Sequence, residues 1–141
     1  MYRLVLSSNL FLANSFVAYK NNERIVSFLL LLVYVCSTLH HSTHINNSYC
    51  HKLDLFMSRS TTFLLFPYSL KFSRPSFCFM AINNMILSYG LSHCIDIIYD
   101  NTSWVWCHMY FHVLTNVYIY TSLKDCKRHK QTNYINYPCS N

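Results

Sequence analysis

The sequence predicts a mostly α-helical chain of one to three hydrophobic helices with irregular connections and no well-packed globular domain. Long uncharged, apolar stretches alternate with short polar patches over 141 residues, a length that suits a single unit. Charged residues make up 11% of the chain, whereas soluble proteins carry about 25%. A single glycine leaves few positions at which a tight turn forms easily.

The first apolar stretch, residues 4–19, is a weak hydrophobic segment. Arg3 precedes it and Lys20 follows it, while the polar run Ser7, Ser8 and Asn9 interrupts it. A basic residue before an apolar stretch is also the beginning of a signal-peptide pattern. The segment alone therefore does not distinguish a signal peptide from a weak hydrophobic segment of another kind.

Residues 25–43 form the candidate transmembrane helix. The run from Ile25 to Val35 has eleven residues, all apolar except Ser27, whereas a spanning helix needs about 20 predominantly apolar residues. Ser, Thr and His residues weaken its C-terminal part. The alternative is a buried core helix. Residues 49–74, which are basic and contain Pro67, are interpreted as a loop with short pieces of structure.

Two later segments carry a polar residue at every fourth position. In residues 76–99 this spacing predicts an amphipathic or weak transmembrane helix. In the aromatic-rich apolar segment 103–123 the same spacing also predicts a helix. The end of that segment is rich in β-branched and aromatic residues, which allows a strand in the last third of the chain instead. The two stripes are Asn84, Ser88, Ser92, Asp96 and Asp100, and His108, His112 and Asn116.

Residues 124–141 form a basic and polar tail. Its basic patch, which directly follows an apolar stretch, is typical of a juxtamembrane anchor on the cytosolic side of a membrane. We therefore expect no nucleic-acid partner, although nearby tyrosines could stack on bases. The patch consists of Lys124, Lys127, Arg128 and Lys130.

Histidine and cysteine spacing offers weak candidates for zinc ligands. His108 and His112 share a helix face, Cys107 is adjacent and Cys94 lies upstream, so these four are the candidates if a zinc ion is bound. A second set with the same spacing is Cys36, His40 and His44. Neither a Cys-x-x-Cys pair nor a His-Glu-x-x-His motif occurs. We therefore predict no metal site and no cofactor.

Enzymatic activity is not expected, and no catalytic residue is assigned. The chain has five acidic residues, and Asp96 with Asp100 is better explained as the solvated end of a helix than as an acid–base pair. With Gly90 as its single glycine, the chain cannot form a glycine-rich phosphate loop or a Gly-x-Ser-x-Gly nucleophile turn.

The composition has an unusual coding bias. Gly, Ala, Val, Asp and Glu together number 17, whereas Phe, Tyr, Cys, Trp and Ser number 48. In this bias the chain resembles translations of short, AT-rich, doubtful open reading frames, and it resembles no protein family. The resemblance implies the product of a doubtful open reading frame, without an identifiable biochemical function. The hydrophobic segments predict that this product is inserted in a membrane, with the lipid bilayer as its partner. The alternatives are a genuine small membrane accessory or interaction protein, and a small zinc-binding module.

Overall fold

The computed structural model describes residues 2–43, 48–99 and 103–136, and these residues form five α-helices. Side-chain surroundings are described for residues 3–43, 48–95 and 104–132. The helices are α1 (Tyr2–Lys20), α2 (Arg24–Thr43), α3 (Tyr49–Phe72), α4 (Pro75–Tyr99) and α5 (Ser103–Asn136).

The prediction of one to three helices is wrong, and so is the strand in the last third of the chain. Residues 103–136 form one continuous helix of 34 residues. The β-branched and aromatic residues that suggested a strand are accommodated because Tyr118, Ile119 and Leu123 pack into the interior. Hydroxyl groups of Thr115 and Thr121 bond to the carbonyl oxygens four residues earlier. Packing therefore outweighs β-propensity, which is weak and depends on context.

The prediction of a loop over residues 49–74 is also wrong, because α3 occupies most of that range. Its N-cap is Ser48, whose side chain accepts a hydrogen bond of 3.2 Å from the backbone N–H of His51. Pro67 removes one backbone hydrogen bond but lies on the exposed side of the helix. The buried face of α3, which includes Thr61, Leu65 and Ser69, keeps the helix packed on its neighbours.

The five helices pack into a bundle, which corrects the expectation that no well-packed domain forms. Helix α1 packs on α2 and α5, helix α3 packs on α2 and α5, and helix α4 packs mainly on α5. Leu30 and Leu123, at most 1% exposed, belong to one buried cluster to which every helix contributes. Helix α5, which contacts α1, α3 and α4, therefore occupies the central position of the bundle.

Consecutive helices run in opposite directions, so the bundle has two chemically different ends. The first, which we name the basic end, consists of residues 20–24, residues 71–74 and α5 from Lys124 onward. In one contact across this end, the Ser73 hydroxyl donates a hydrogen bond of 2.8 Å to Asp125 Oδ2. The second, the histidine end, brings together the last turns of α2 and the first turns of α3 and α5, where the His40 and His51 rings stack at 4.5 Å.

Glu23, in the turn between α1 and α2, ties the basic end together. Its carboxylate accepts hydrogen bonds from Lys130 Nζ and from Cys126 Sγ. Burial alone would raise the pKa of Glu23, but the hydrogen bonds from Lys130 and Cys126 and the charge of Lys130 outweigh it. The pKa is therefore lowered from the ordinary value of 4.5.

We expect the Glu23→Gln substitution to make the stability of the bundle less dependent on acid pH. Because the folded-state pKa of Glu23 lies below its unfolded value, its contribution is present above the ordinary value and is lost as pH falls through the folded-state pKa. The expected contribution at neutral pH is about 1 kcal/mol. Thermal unfolding of the detergent-solubilised chain across acid pH measures it. The exposed Lys127→Gln variant is the control, and parallel profiles for wild type and Glu23→Gln would contradict the prediction.

Candidate functional site

The interior of the bundle is unusually polar. Among the described side chains, 16 buried residues are polar or charged and 15 are apolar, whereas the buried residues of soluble proteins are mostly apolar. Most of the polar ones carry small hydroxyl groups. The buried polar residues are Ser7, Ser8, Asn14, Ser15, Ser37, His41, Asp54, Thr61, Ser69, Ser73, Ser88, Ser92, His112, Thr115, Asn116 and Ser122.

Many of these polar groups form hydrogen bonds between helices. The hydroxyls of Ser8 and Ser37 lie 3.1 Å apart across the α1–α2 interface. Asn14 Nδ2 donates to Asn116 Oδ1 at 2.8 Å and to the Asn116 carbonyl oxygen at 3.0 Å, which joins α1 to α5. The Ser69 and Tyr118 hydroxyls are also hydrogen-bonded, which joins α3 to α5. Hydrogen bonds between polar groups therefore connect these helices, whereas most helix bundles are held together mainly by apolar contacts.

The outer surface of the bundle, by contrast, is rich in large apolar side chains. Each of the five helices exposes at least five of them, so they form a coat around the bundle rather than a single patch. We name these residues the apolar coat. On α1 and α2 they are Leu6, Leu10, Leu12, Phe16, Tyr19, Ile25, Phe28, Leu31, Val35 and Leu39. On α3, α4 and α5 they are Tyr49, Leu53, Phe56, Phe63, Leu64, Phe79, Met80, Ile86, Leu87, Tyr89, Leu91, Trp106, Tyr110, Val113, Val117 and Tyr120.

One helix in the described part of the chain is long and apolar enough to cross a membrane by itself. This helix is α2 (Arg24–Thr43), whose 20 residues have a mean hydropathy of 1.7 over the best window. The candidate transmembrane segment predicted over residues 25–43 lies within it. Length and hydropathy alone are shared by core helices and signal sequences, so they establish a candidate span near the N-terminus and no more.

Three histidines converge near the histidine end. Helix α2 supplies His41 from its last turns, and α5 supplies His108 and His112 from its first turns. One ring nitrogen from each residue lies within 4.8 Å of the other two. His41 and His112 are buried, whereas His108 is half-buried. We name these three residues the histidine triad. Imidazole nitrogens are common ligands of zinc and of other transition metals.

A serine on α1 determines which nitrogen of His112 is protonated. Ser7 Oγ lies 2.8 Å from His112 Nδ1 and 2.8 Å from the carbonyl oxygen of Leu4. The single hydroxyl proton is donated to the carbonyl oxygen of Leu4, which can only accept. The Ser7 oxygen therefore accepts a hydrogen bond from His112 Nδ1–H. This tautomer leaves Nε2 of His112 with its lone pair available.

Aromatic rings pack against His108 and His112, and a small cavity adjoins His112. Phe11 meets the His112 ring edge-on with the centroids 5.5 Å apart, and Trp104 meets the His108 ring in the same way at 6.0 Å. A cavity of about 40 Å³ adjoins His112, and hydroxyl-bearing residues such as Ser37 contribute to its lining. Its lining is mostly apolar but includes several hydroxyl groups, and a cavity of that volume has room for a water molecule.

The structure brings together only part of the predicted zinc ligand set. His108 and His112 belong to the triad, but Cys107 does not, although it is adjacent to His108 in sequence. Cys94 lies exposed on α4 and is also outside the triad. For the second predicted set, Cys36 is buried on α2, His40 stacks on His51, and His44 lies outside the described residues.

His41 is the member of the triad that residue spacing in the sequence does not identify. Spacing points to His40, because His40 lies four residues after Cys36. The inward face of α2 is instead marked by its apolar and small residues at Leu30, Val33 and Ser37, which are buried. Continuing that stripe by four residues from Ser37 leads to His41, so helical phase would have identified it.

Comparison with known proteins finds no significant match for the chain. No protein-family model matches it, and no curated protein or solved structure matches it significantly. The prediction that the chain belongs to no recognised protein family is therefore confirmed.

Proposed function

We propose that this chain is a small integral membrane protein, a five-helix bundle without catalytic activity that serves as an accessory or interaction subunit. The observation that carries the proposal is the reversed distribution of polarity. Hydroxyl, amide and imidazole groups lie inside the bundle, while the apolar coat covers all five helices. Exposed apolar surface of that extent marks contact with lipid or with partner proteins.

The physics of a bilayer accounts for both halves of this distribution. Lipid tails are as apolar as leucine side chains, so a coat of large apolar residues is stable against them. Helix association in lipid relies on close packing of small residues such as Ser and Thr, and on hydrogen bonds between helices, which Ser, Thr, Asn and His side chains form. The pairs Ser8–Ser37 and Asn14–Asn116 are contacts of this kind.

The helix lengths fit a bilayer. The shortest helix, α1, has 19 residues. At a rise of 1.5 Å per residue it is about 28 Å long, close to the roughly 30 Å of the hydrocarbon core. In α5, the segment before Lys124 is long enough to span, and the rest projects beyond the membrane.

Arg59 is the charged residue closest to the middle of a proposed span. It is exposed on α3, ten residues after Tyr49. Side chains on a helix tilt toward its N-terminus, which for α3 is the histidine end. The long Arg59 side chain therefore extends toward the membrane surface on that side, which lowers the free-energy cost of burying its charge.

Charge asymmetry gives the proposed orientation. Eight of the eleven Lys and Arg residues lie at the basic end, with two acidic residues beside them. Positive residues accumulate on the cytosolic side of membrane proteins, so the basic end faces the cytosol. Five spans then place the N-terminus on the opposite side. The eight residues are Lys20, Arg24, Lys71, Arg74, Lys124, Lys127, Arg128 and Lys130.

The first test asks whether the chain is made and embedded. An epitope tag is added at the C-terminus of the chromosomal gene, and a frameshifted copy of the gene serves as the matched control. We expect a stable band in carbonate-washed membranes that the frameshift abolishes. Absence of the band despite a detectable transcript would favour the alternative, a doubtful open reading frame that produces no working protein.

We also expect the turn at residues 21–23 and the C-terminal tail to lie on the same, cytosolic side of the membrane. A glycosylation acceptor introduced into the turn should stay unmodified, because glycosylation occurs in the lumen. An acceptor in an extension placed before Tyr2 should be modified and is the positive control. Modification of the acceptor in the turn would contradict the five-span arrangement.

A further inference from the structure

We propose that the histidine triad, His41, His108 and His112, binds one divalent transition-metal ion of the Zn²⁺ type with a fourth coordination position left open. The site combines the predicted pair on α5 with a residue of α2 and excludes Cys94 and Cys107. It is independent of the membrane proposal, because the three ligands converge inside the bundle whatever surrounds it.

The distances within the triad are compatible with a metal ion after small side-chain rotations. Zinc–nitrogen distances are about 2.0 to 2.1 Å, so two nitrogens at a tetrahedral zinc lie roughly 3.4 Å apart. One ring nitrogen from each residue of the triad already lies within 4.8 Å of those of the other two. His108 and His112 are one helical turn apart on α5, a spacing at which two imidazoles can hold the same ion.

Ser7 prepares His112 for this role. Because Ser7 Oγ accepts the hydrogen bond from His112 Nδ1–H, the lone pair of His112 is on Nε2. Metal-binding histidines almost always donate their other ring N–H to a protein acceptor, which fixes both tautomer and ring orientation. Phe11, packed edge-on against the same ring, restricts its rotation further. Ser7 is therefore a positioning residue, not a ligand.

Three protein ligands leave the ion with an open position. In three-histidine zinc sites, water or an exogenous molecule occupies the fourth position. The half-buried His108 gives access from the histidine end, and the small cavity beside His112, whose lining is mostly apolar but includes several hydroxyl groups, has room for water. Imidazole ligands suit Zn²⁺, Cu²⁺ and Ni²⁺, and do not suit Mg²⁺ or Ca²⁺, which prefer oxygen ligands.

The test is zinc binding to the full chain purified in detergent micelles. After equilibrium dialysis against ZnCl₂, metal analysis should give about one zinc ion per chain. Each of His41→Gln, His108→Gln and His112→Gln should abolish stoichiometric binding. The control is His93→Gln, which removes an exposed histidine on α4 and should leave binding unchanged. Co²⁺ substituted for zinc should show the intense visible absorption of tetrahedral coordination.

The folded state of each variant is checked in the same samples. Helical circular dichroism and gel-filtration behaviour identify variants that lose zinc because they unfold. His108→Gln is the decisive variant, because His108 is half-buried and its loss is the least disruptive of the three. The proposal is overturned if wild type binds less than stoichiometric zinc, or if a folded His108→Gln chain binds zinc as wild type does. Loss of binding in Cys107→Ser but not in His41→Gln would also overturn it.

Ser7→Ala supplies an independent readout. We expect zinc affinity to fall by about 10- to 100-fold, the effect of removing a group that orients a ligand. Nitrogen NMR of the His112 ring should show protonated Nδ1 in the wild type and a mixture of tautomers in Ser7→Ala. Unchanged affinity together with an unchanged tautomer would remove Ser7 from the site.

Discussion

Val35→Arg is expected to reduce membrane recovery of the chain sharply. Val35 lies near the middle of α2 on the apolar coat, where its side chain is 43% exposed. Arginine at the centre of a spanning helix costs about 3 kcal/mol of insertion free energy. In water, by contrast, an exposed valine-to-arginine change alters stability by about 0.5 kcal/mol or less. The same substitution therefore has very different consequences in the two environments.

Ile25→Arg is the matched control for this prediction. Ile25 lies on the same helix and is more exposed, but it is adjacent to Arg24 at the basic end. An arginine there reaches the membrane surface, so recovery should stay near the wild-type level. The measurement is the amount of full-length tagged chain in carbonate-washed membranes, normalised to synthesis. Equal recovery of both variants, or better solubility of Val35→Arg, would contradict the membrane account.

Asn14→Leu is the second substitution with a large expected effect. Asn14 donates two hydrogen bonds to Asn116, so the change leaves two acceptors on α5 without these bonds. Leucine is also larger than the buried space that asparagine occupies. We expect a loss of about 1 to 2 kcal/mol in the free energy of unfolding, since hydrogen bonds between helices in membranes contribute up to about 1.7 kcal/mol. Reversible unfolding in mixed micelles measures the difference.

Asn9→Leu on the same helix is expected to have the opposite effect and to favour the inserted chain. Asn9 is exposed on α1, so in the membrane account it faces lipid and its replacement favours insertion. The two substitutions are chemically identical and differ only in the direction of the side chain. Destabilisation by Asn9→Leu that equals the effect of Asn14→Leu would show that the two sides of α1 are not distinguished as proposed.

The spacing of polar residues along the helices could be recognised in the sequence. Whether the polar face of a helix points into the bundle or outward could not. The polar stripe of α5 was identified, and the structure shows that His112 and Asn116 are buried while Val113 and Val117 are exposed. On α4, Ser88 and Ser92 are likewise buried. Periodicity shows which residues share a helix face. Whether a polar face points into the bundle depends on whether water or lipid surrounds the protein, and the residue pattern does not contain that information.

Other errors arose from long-range contacts. Helix α3 was interpreted as a loop because of Pro67 and its basic residues, and local propensity gives no information about the neighbours that stabilise it. The histidine triad required His41 and His112, which are 71 positions apart in sequence, to meet across two helices. Spacing along one helix could identify His108 with His112, but the third ligand comes from α2, which lies beside them because α1 packs on both α2 and α5.

Quenching of Trp106 fluorescence by brominated lipids is the most direct test of the central claim that the apolar coat faces lipid. Trp106 is 56% exposed on α5, and the Arg3 guanidinium lies 4.5 Å from its ring centroid, an arrangement typical of a membrane surface. The Trp104→Phe chain, reconstituted into vesicles, isolates its signal. The account predicts strong quenching by lipids brominated close to the headgroup and weak quenching by iodide in the water. Strong quenching by iodide without any effect of brominated lipid would contradict it.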